Sequence, residues 1–276
     1  GKWHLGHLPR HLPTRHGFDE WFGIPYSNDM DKTAHAREIL KKSKSDSTLP
    51  AAGWFEPESE WFEVPLMRGD IAIEHAPDQR LSTLQFTDAS LEFIRRHQRE
   101  PFFLYLSLSM PHVPLFRSPD FEDRSAGGLY GDVIEELDFS VGRILSELRK
   151  LNLEKRTLVV FTSDNGPWLQ FGTLGGSSGP FRAGKSTAWE GGFRVPAIFW
   201  APGMISPGSV QEMGSTLDFM RTFASLTGSH LPHVESDGFD LTDVLGHKGV
   251  SPRKEMYFYL GDRLAAVRQG AFKAHF

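Results

Sequence analysis

Four short polar groupings in the sequence contain side chains that can bind an anion, a metal ion or a proton. In the first, Lys2 and His4 are separated by one residue. On an extended segment this spacing puts both side chains on the same face, where an ammonium and an imidazole can converge on one anion. An isolated Lys-x-His pair is more simply explained as ordinary exposed surface. Anion binding by Lys2 and His4 therefore needs support from other residues of a site.

The second grouping is Asp164-Asn165, which follows a β-branched apolar run and begins a turn sequence. A carboxylate and an amide carbonyl are hard oxygen ligands, which suit Ca²⁺ or Mg²⁺ better than a soft metal. Asp-Asn-Gly is also a good turn in its own right. The metal-binding interpretation therefore needs further ligands nearby.

The third grouping runs from Gly179 to Ser186 and matches the P-loop pattern of Gly, four residues and Gly-Lys-Ser. A P-loop connects a strand to a helix. This segment instead follows a Gly- and Ser-rich stretch and runs within a few residues into Gly191-Gly192 and Pro196. The context therefore argues against nucleotide binding.

The fourth candidate is His112, which stands between Pro111 and Pro114 after a short apolar run. Proline fixes one backbone dihedral, so the loop is stiff and holds the imidazole away from any helix face. A single loop histidine is usually inert, and the interest of His112 depends on what lies near it.

Apolar periodicity predicts an alternation of strands and helices around these groupings. Such alternation is typical of an α/β protein with a mostly parallel sheet sandwiched by helices, whose ligand sites lie beyond the carboxyl ends of the strands. We predict one such domain over residues 1–250 and a small antiparallel subdomain from 251 to 276. The predicted helices are 79–99, 133–148 and 217–226, and the predicted strands are 101–109, 157–162, 197–200, 256–260, 264–268 and 271–276.

Composition excludes several classes of function. The net charge of −5 supplies no basic excess for a nucleic-acid partner, and no apolar run is long enough to span a membrane. With no Cys, the chain has no disulfide, thiolate ligand or Cys nucleophile of its own. The start at Gly1 resembles neither a signal peptide nor an initiator Met, and we expect the fold to be incomplete at both ends.

Several motifs, in order along the chain, resemble the type I sulfatases of the alkaline phosphatase superfamily, and specifically those of the arylsulfatase type. The resemblance covers nearly the whole chain and is weakest over 32–78. It rests on Gly1-Lys-Trp-His-Leu-Gly6, the segment His16 to Ser27, Phe161-Thr-Ser-Asp-Asn-Gly-Pro167, Gly179-Pro-Phe-Arg-Ala-Gly-Lys-Ser-Thr187, Glu190-Gly-Gly-Phe-Arg-Val-Pro196, Asp237-Gly-Phe-Asp240 and Lys273-Ala-His-Phe276.

The resemblance implies a formylglycine nucleophile made from the Cys or Ser of a Cys/Ser-x-Pro/Ala-x-Arg motif, which we expect upstream of Gly1. It also implies a maturation partner, a formylglycine-generating or sulfatase-maturing enzyme. Two further acidic metal ligands are expected upstream as well. The 276-residue chain alone is therefore expected to be inactive.

The resemblance also implies a role for each matching residue. Lys2 and Lys185 grip the sulfate, and His4 contacts the aldehyde hydrate. Ser27 lies beside that group, and His112 binds the ester side of the sulfate and protonates the departing alcohol. Asp164 and Asn165 bind the metal, Ca²⁺ or alternatively Mg²⁺.

The implied reaction is hydrolysis of a small-molecule or carbohydrate sulfate ester. Two alternatives stay open at this point: a phosphomonoester or phosphodiester hydrolase of the same superfamily, and a non-catalytic sulfatase-like binding module. Kinship also implies a periplasmic or secreted location in a bacterium, or a lysosomal one in an animal.

Overall fold

The computed structural model describes residues 1–42, 52–55, 57–231 and 235–276, and the chain divides into two compact units. Unit 1 comprises Gly1–Leu153 and Trp168–Ser177, and unit 2 comprises Glu154–Pro167 and Ser178–Phe276. The domain boundary predicted at residue 250 lies inside unit 2 and stays a prediction.

Unit 1 contains four helices, α1 (Ala34–Lys42), α2 (Ala52–Phe55), α3 (Ser82–Arg96) and α4 (Gly128–Lys150). The predictions for α3 and α4 are confirmed. In α3 an apolar stripe including Phe86, Leu91 and Ile94 is buried, and Arg95 and Arg96 occupy the last turn, where cations oppose the helix dipole.

A small antiparallel sheet of three strands also belongs to unit 1: β1 (Phe22–Gly23), β2 (Leu66–Arg68) and β3 (Ile71–Glu74). None of these three strands was predicted from the sequence. The apolar core of the unit includes Phe62, Phe86, Leu115 and Val133, which are almost completely buried.

Unit 2 contains α5 (Glu190–Phe193), α6 (Phe219–Thr227) and α7 (Thr242–Leu245). Its strands are β4 (Val159–Thr162), β5 (Ala197–Trp200), β6 (Glu255–Leu260), β7 (Arg263–Gln269) and β8 (Phe272–His275). Strands β6, β7 and β8 form an antiparallel sheet, as predicted for the C-terminal part, and Phe258 and Ala266 pack in its core.

Strand pairing differs in detail from the mostly parallel sheet expected from the sequence. Within the described ranges every paired strand is antiparallel, including β4 with β5, and the parallel pairing is the bridge between Lys2 and Ile24. No strand is assigned over 101–109, although Ser107 O accepts a hydrogen bond of 2.7 Å from Lys2 N. A ladder needs several such bonds along one neighbour, and that segment has too few.

No helix in the described part of the chain is both long and apolar enough to cross a membrane.

Candidate active site

The first four residues of the chain lie between two other segments of unit 1. Lys2 N donates to Ser107 O at 2.7 Å, and His4 N donates to Pro25 O at 3.0 Å. A side chain on Gly23 would overlap the carbonyl oxygen of Gly1, so the close approach of these segments requires glycine there. The backbone of Lys2 and His4 is thus fixed by tertiary hydrogen bonds.

The backbone at His4 differs from the extended conformation predicted for Lys2 to His4. Lys2 pairs with Ile24 as an extended residue, but His4 has a φ of 56°, in the left-handed region. Strand alternation therefore ends before His4 and does not place its side chain on the face of Lys2.

Ser27 lies on a buried segment that is hydrogen bonded to the loop of His112. The neighbouring Asn28, 1% exposed, donates from Nδ2 to Pro114 O at 3.1 Å. Gln79 Nε2 in turn donates to Asn28 O at 3.0 Å. Buried side-chain amides with such bonds hold loops in a single arrangement, so Ser27 and His112 belong to one structured neighbourhood.

Asp29 adds a negative charge to that neighbourhood. It forms an ion pair with Lys32, with 3.4 Å between Nζ and Oδ2. Burial acts to raise the pKa of Asp29, but the charge of Lys32, a hydrogen bond from Ser27 and the charge of His112 leave this pKa below its usual value. Asp29 is therefore ionised near neutral pH and contributes a fixed negative charge beside His112.

The imidazole of His112 has a defined orientation. Its Nδ1 lies 2.6 Å from Val113 O, and its backbone N donates to Ser109 O at 3.1 Å. Because a carbonyl oxygen only accepts, the proton of the neutral ring is assigned to Nδ1. Nε2 is then the acceptor nitrogen of the neutral ring.

In unit 2, Asp164 and Asn165 follow β4 directly, as predicted. Ser163 Oγ donates to Asn165 O at 2.9 Å, and Asn165 Nδ2 donates to Gly166 O at 2.9 Å. The second bond assigns the amide nitrogen, so Oδ1 is the atom of Asn165 with ligand character.

Lys185 lies on a loop of turns that is tied to the same region. Lys185 N donates to Pro167 O at 2.8 Å, and Gly166 N donates to Gly192 O at 3.0 Å. A side chain on Gly166 would overlap the carbonyl oxygen of Gly191. The turn of Asp164 and Asn165 and the loop of Lys185 are therefore packed backbone to backbone. Turns, and not a strand-to-helix junction, occupy the P-loop match, which agrees with the argument against nucleotide binding.

Glu190 connects the end of this loop to the C-terminal sheet. Its carboxylate is 2.7 Å from Arg268 Nη1 on β7 and 3.0 Å from Lys273 Nζ on β8. Two cations on one carboxylate restrain α5, which begins five residues after Lys185. The sequence did not predict that Glu190 ties α5 to the C-terminal sheet, because its partners Arg268 and Lys273 lie 78 and 83 positions away.

The structure thus groups the predicted residues in two sets. Lys2, His4, Ser27 and His112 belong to unit 1, whereas Asp164, Asn165 and Lys185 belong to unit 2. Convergence of both sets on one pocket stays a prediction. Asn28, Asp29 and Gln79 were missed, although three consecutive polar residues after an apolar segment are a usable signal for Asn28 and Asp29.

The donors of unit 2 fit a hard divalent cation in type but not in number. Asp164 and Asn165 offer a carboxylate and an amide oxygen, whereas Ca²⁺ takes about six to eight oxygen ligands. Among the residues that the structure describes, no cluster of three or more His, Asp or Glu side chains is arranged to hold a metal ion. Further ligands would have to complete the site.

Similarity to known proteins decides the family. The sulfatase family model matches residues 1–229. The chain belongs to the sulfatase family. N-acetylgalactosamine-6-sulfatase of Mus musculus is 40% identical over 280 residues, covering 100% of this chain and 51% of that protein. Arylsulfatase A of Homo sapiens is 37% identical over 287 residues, covering 100% and 55%. This sulfatase chain thus spans about half the length of the curated relatives it matches.

Solved sulfatase structures confirm the predicted fold class. The PsFucS1 sulfatase from Pseudoalteromonas sp. is 29% identical and superposes with a TM-score of 0.83, covering 100% of this chain and 57% of that one. A phosphonate monoester hydrolase from Silicibacter pomeroyi is only 19% identical, with a TM-score of 0.54 and 67% of this chain covered. That second likeness shows a shared fold and nothing about activity.

Proposed function

We propose that the protein containing this sulfatase chain hydrolyses sulfate monoesters. The observation that carries the proposal is the match to the sulfatase family over residues 1–229, together with the ordered turns that hold the candidate residues. A sulfate monoester is a stable anion with a poor leaving group. Catalysis therefore needs cations against the sulfate oxygens and a proton for the departing oxygen.

Lys2 and Lys185 are proposed to supply the cations. Each has its backbone N–H in a tertiary hydrogen bond, of 2.7 Å to Ser107 O and 2.8 Å to Pro167 O respectively. A fixed backbone reduces the entropy lost when a long side chain closes on an anion. Ser27, buried on the neighbouring segment, is proposed as a further polar contact of the substrate.

His112 is proposed as the general acid. With Nδ1 bonded to Val113 O, Nε2 is the nitrogen that would donate a proton to the departing alcohol oxygen. Histidine is the commonest general acid in enzymes. The negative charge of Asp29 interacts with the imidazole of His112 and favours its cationic form.

Asp164 and Asn165 are proposed to bind a divalent ion, Ca²⁺ or alternatively Mg²⁺, with other ligands from outside this chain. When bound, such an ion offsets negative charge and makes a neighbouring hydroxyl more acidic. A formylglycine hydrate would provide that hydroxyl, and His4 is proposed to take its proton.

We place the formylglycine outside the printed sequence. One match to the five-residue maturation pattern does occur inside it, at Ser178-Gly-Pro-Phe-Arg182. Ser178 Oγ donates to Phe181 O at 2.9 Å, within the turn that leads to Lys185. That hydroxyl serves the lysine loop, so we do not assign Ser178 as the nucleophile.

The substrate is proposed to be a sulfated carbohydrate, because the relatives include N-acetylgalactosamine-6-sulfatases. A formylglycine-generating enzyme is the proposed maturation partner. The proposed compartment is the periplasm or exterior of a bacterium, or the lysosome of an animal cell. The phosphoester alternative has lost support, since the similar curated proteins are sulfatases.

The test uses the full-length protein co-expressed with a formylglycine-generating enzyme. Release of sulfate from N-acetylgalactosamine 6-sulfate, other O-sulfated hexoses and p-nitrophenyl sulfate is compared with release of phosphate from the matching phosphate esters. We expect preference for sulfate. Faster phosphate release would favour the phosphoester hydrolase, and no turnover by protein with confirmed formylglycine would favour the binding module. Peptide mass spectrometry locates the aldehyde, and its detection at residue 178 would overturn our placement.

A further inference from the structure

A group of partly buried aromatic side chains lies beside His112 in unit 1. The ring centroids of His112 and Trp168 are 5.7 Å apart, with 55° between the planes. Phe171 contacts Trp168 edge to face at 4.7 Å, and Trp54 contacts Phe171 at 5.1 Å with 78° between planes. All three aromatic residues pack on the edge of the apolar core and retain some exposed surface.

The indole of Trp168 is held from several directions. Its Nε1 donates to Gln170 Oε1 at 3.2 Å. The backbone N of Trp168 donates to Gly175 O at 3.2 Å, and Phe171 N donates back to Trp168 O at 3.0 Å. Edge-to-face contacts between aromatic rings stabilise this arrangement beyond the burial of apolar area. A partly exposed indole fixed in this way is preorganised for a contact.

The position of Trp168 along the chain separates it from the chemical residues. It begins the stretch 168–177, which lies between the motif ending at Pro167 and the motif beginning at Gly179. The motifs on both sides contain the candidate metal ligands and Lys185, whereas this stretch contains no charged side chain. Such a segment suits recognition of the substrate's uncharged part.

The direction of the reaction determines which part of the substrate meets Trp168. A proton from His112 must reach the ester oxygen that departs with the alcohol. The alcohol therefore lies next to the imidazole, and the indole is the neighbouring ring. A flat apolar indole face suits the C–H face of a pyranose, since ligand sites combine aromatic walls with a few placed polar groups.

We propose that Trp168 is a substrate-binding residue that stacks on the sugar ring of a sulfated carbohydrate, with Phe171 and Trp54 holding the indole in place. This inference rests on the proposed function, because it uses His112 as the proton donor. It adds the residue that would favour sulfate esters of a sugar ring over other sulfate esters.

The experiment compares Trp168→Ala and Trp168→Phe with the wild-type full-length, matured protein. The substrate is whichever O-sulfated hexose of the panel above is hydrolysed fastest. For Trp168→Ala we expect KM to rise at least about tenfold with kcat changed less than about threefold, because stacking aids binding more than bond cleavage. Trp168→Phe retains a ring and should recover most of the loss.

Inhibition by inorganic sulfate distinguishes loss of the sugar contact from distortion of the sulfate-binding residues. Inorganic sulfate would bind to those residues but has no sugar ring. Its inhibition constant should stay within about twofold in both variants. A parallel rise would show that Trp168 shapes the sulfate site, and an unchanged KM would show no sugar contact; either result overturns the proposal. The matched control is Phe139→Ala, which removes a half-exposed aromatic ring on α4.

Calorimetric titration with N-acetylgalactosamine 6-sulfate, on full-length protein produced without the maturation partner so that binding is measured without hydrolysis, separates this inference from the proposed function. If the wild-type protein turns over no sulfate ester, the proposed function fails, yet weaker sugar binding by Trp168→Ala alone would still support the stacking contact. Equal binding by the wild type and Trp168→Ala, or no binding by either, would refute it. Thermal unfolding of each variant verifies that the fold is retained.

Discussion

At the scale of single residues, the most informative contact is the bond between His112 Nδ1 and Val113 O at 2.6 Å. This bond fixes the orientation of the ring and assigns the proton of the neutral imidazole to Nδ1. The sequence predicted His112 as a candidate from its place between two prolines, but it did not indicate the tautomer, which depends on the conformation of the following peptide.

Replacement of His112 by Ala should affect substrates according to their leaving groups. We expect kcat to fall by about 10²–10⁴-fold for sugar sulfates, whose alcohol needs a proton, and far less for p-nitrophenyl sulfate, whose phenolate leaves unaided. The measurement is kcat across esters of graded leaving-group pKa. Equal losses on all esters would remove His112 from the general-acid role. His97→Ala is the control, since His97 lies at the end of α3 and pairs with Glu20 and Glu100.

At the scale of elements, the loop of Lys185 and the turn of Asp164 and Asn165 form one packed assembly within unit 2. Glycine is required where their backbones meet, and Glu190 ties α5 to β7 and β8. These contacts explain how a loop rich in turns, with left-handed Ala183 and Ser186 on either side of Lys185, keeps one conformation.

Replacement of Gly166 by Ala should disrupt this assembly. The added methyl group would overlap Gly191 O, so we expect a loss of about 1–3 kcal/mol in the free energy of unfolding. Activity should fall at least about tenfold, because small displacements of anion-binding groups are costly. Denaturant unfolding and kcat/KM measure both effects. The control is Gly142→Ala on α4, where the methyl group meets open space and should raise stability by about 0.5–1 kcal/mol.

Among the elements that the structure describes, sequence patterns predicted the helices α3, α4 and α6 and the strands β4 to β8. The buried apolar stripe of α4 and the turn-separated antiparallel strands β6 to β8 are examples that the structure confirms. The 101–109 segment shows the limit of this approach, since an apolar run indicates burial but not which segment pairs with it. The site was predictable as residue types, whereas the left-handed φ of His4 and the contacts of Asn28, Asp29 and Trp168 depend on tertiary packing.

At the scale of the whole molecule, the candidate residues come from both compact units, and the nucleophile is proposed to come from neither. On the proposed assignment, the 276 residues would supply an anion grip, an acid and two metal oxygens, and the group that attacks sulfur would come from elsewhere in the protein.

The purified 276-residue chain should hydrolyse no p-nitrophenyl sulfate and should bind Ca²⁺ weakly. Two oxygen ligands cannot replace the six to eight or so that Ca²⁺ prefers, and no activated nucleophile is available. A colorimetric assay and calorimetric Ca²⁺ titration test these points, with the full-length matured protein as the positive control. Measurable turnover by the chain alone would contradict the proposed origin of the nucleophile.

The boundaries of the two units limit how recombination or protein engineering could exchange them. The chain changes unit after Leu153, after Pro167 and again after Ser177. No single cut in the gene separates one unit from the other, and a simple recombination event cannot exchange either of them intact. If Trp168 contacts the sugar as proposed, substitutions at the exposed positions of 168–177 would change sugar preference while the buried Leu174 keeps the stretch anchored in the core of unit 1.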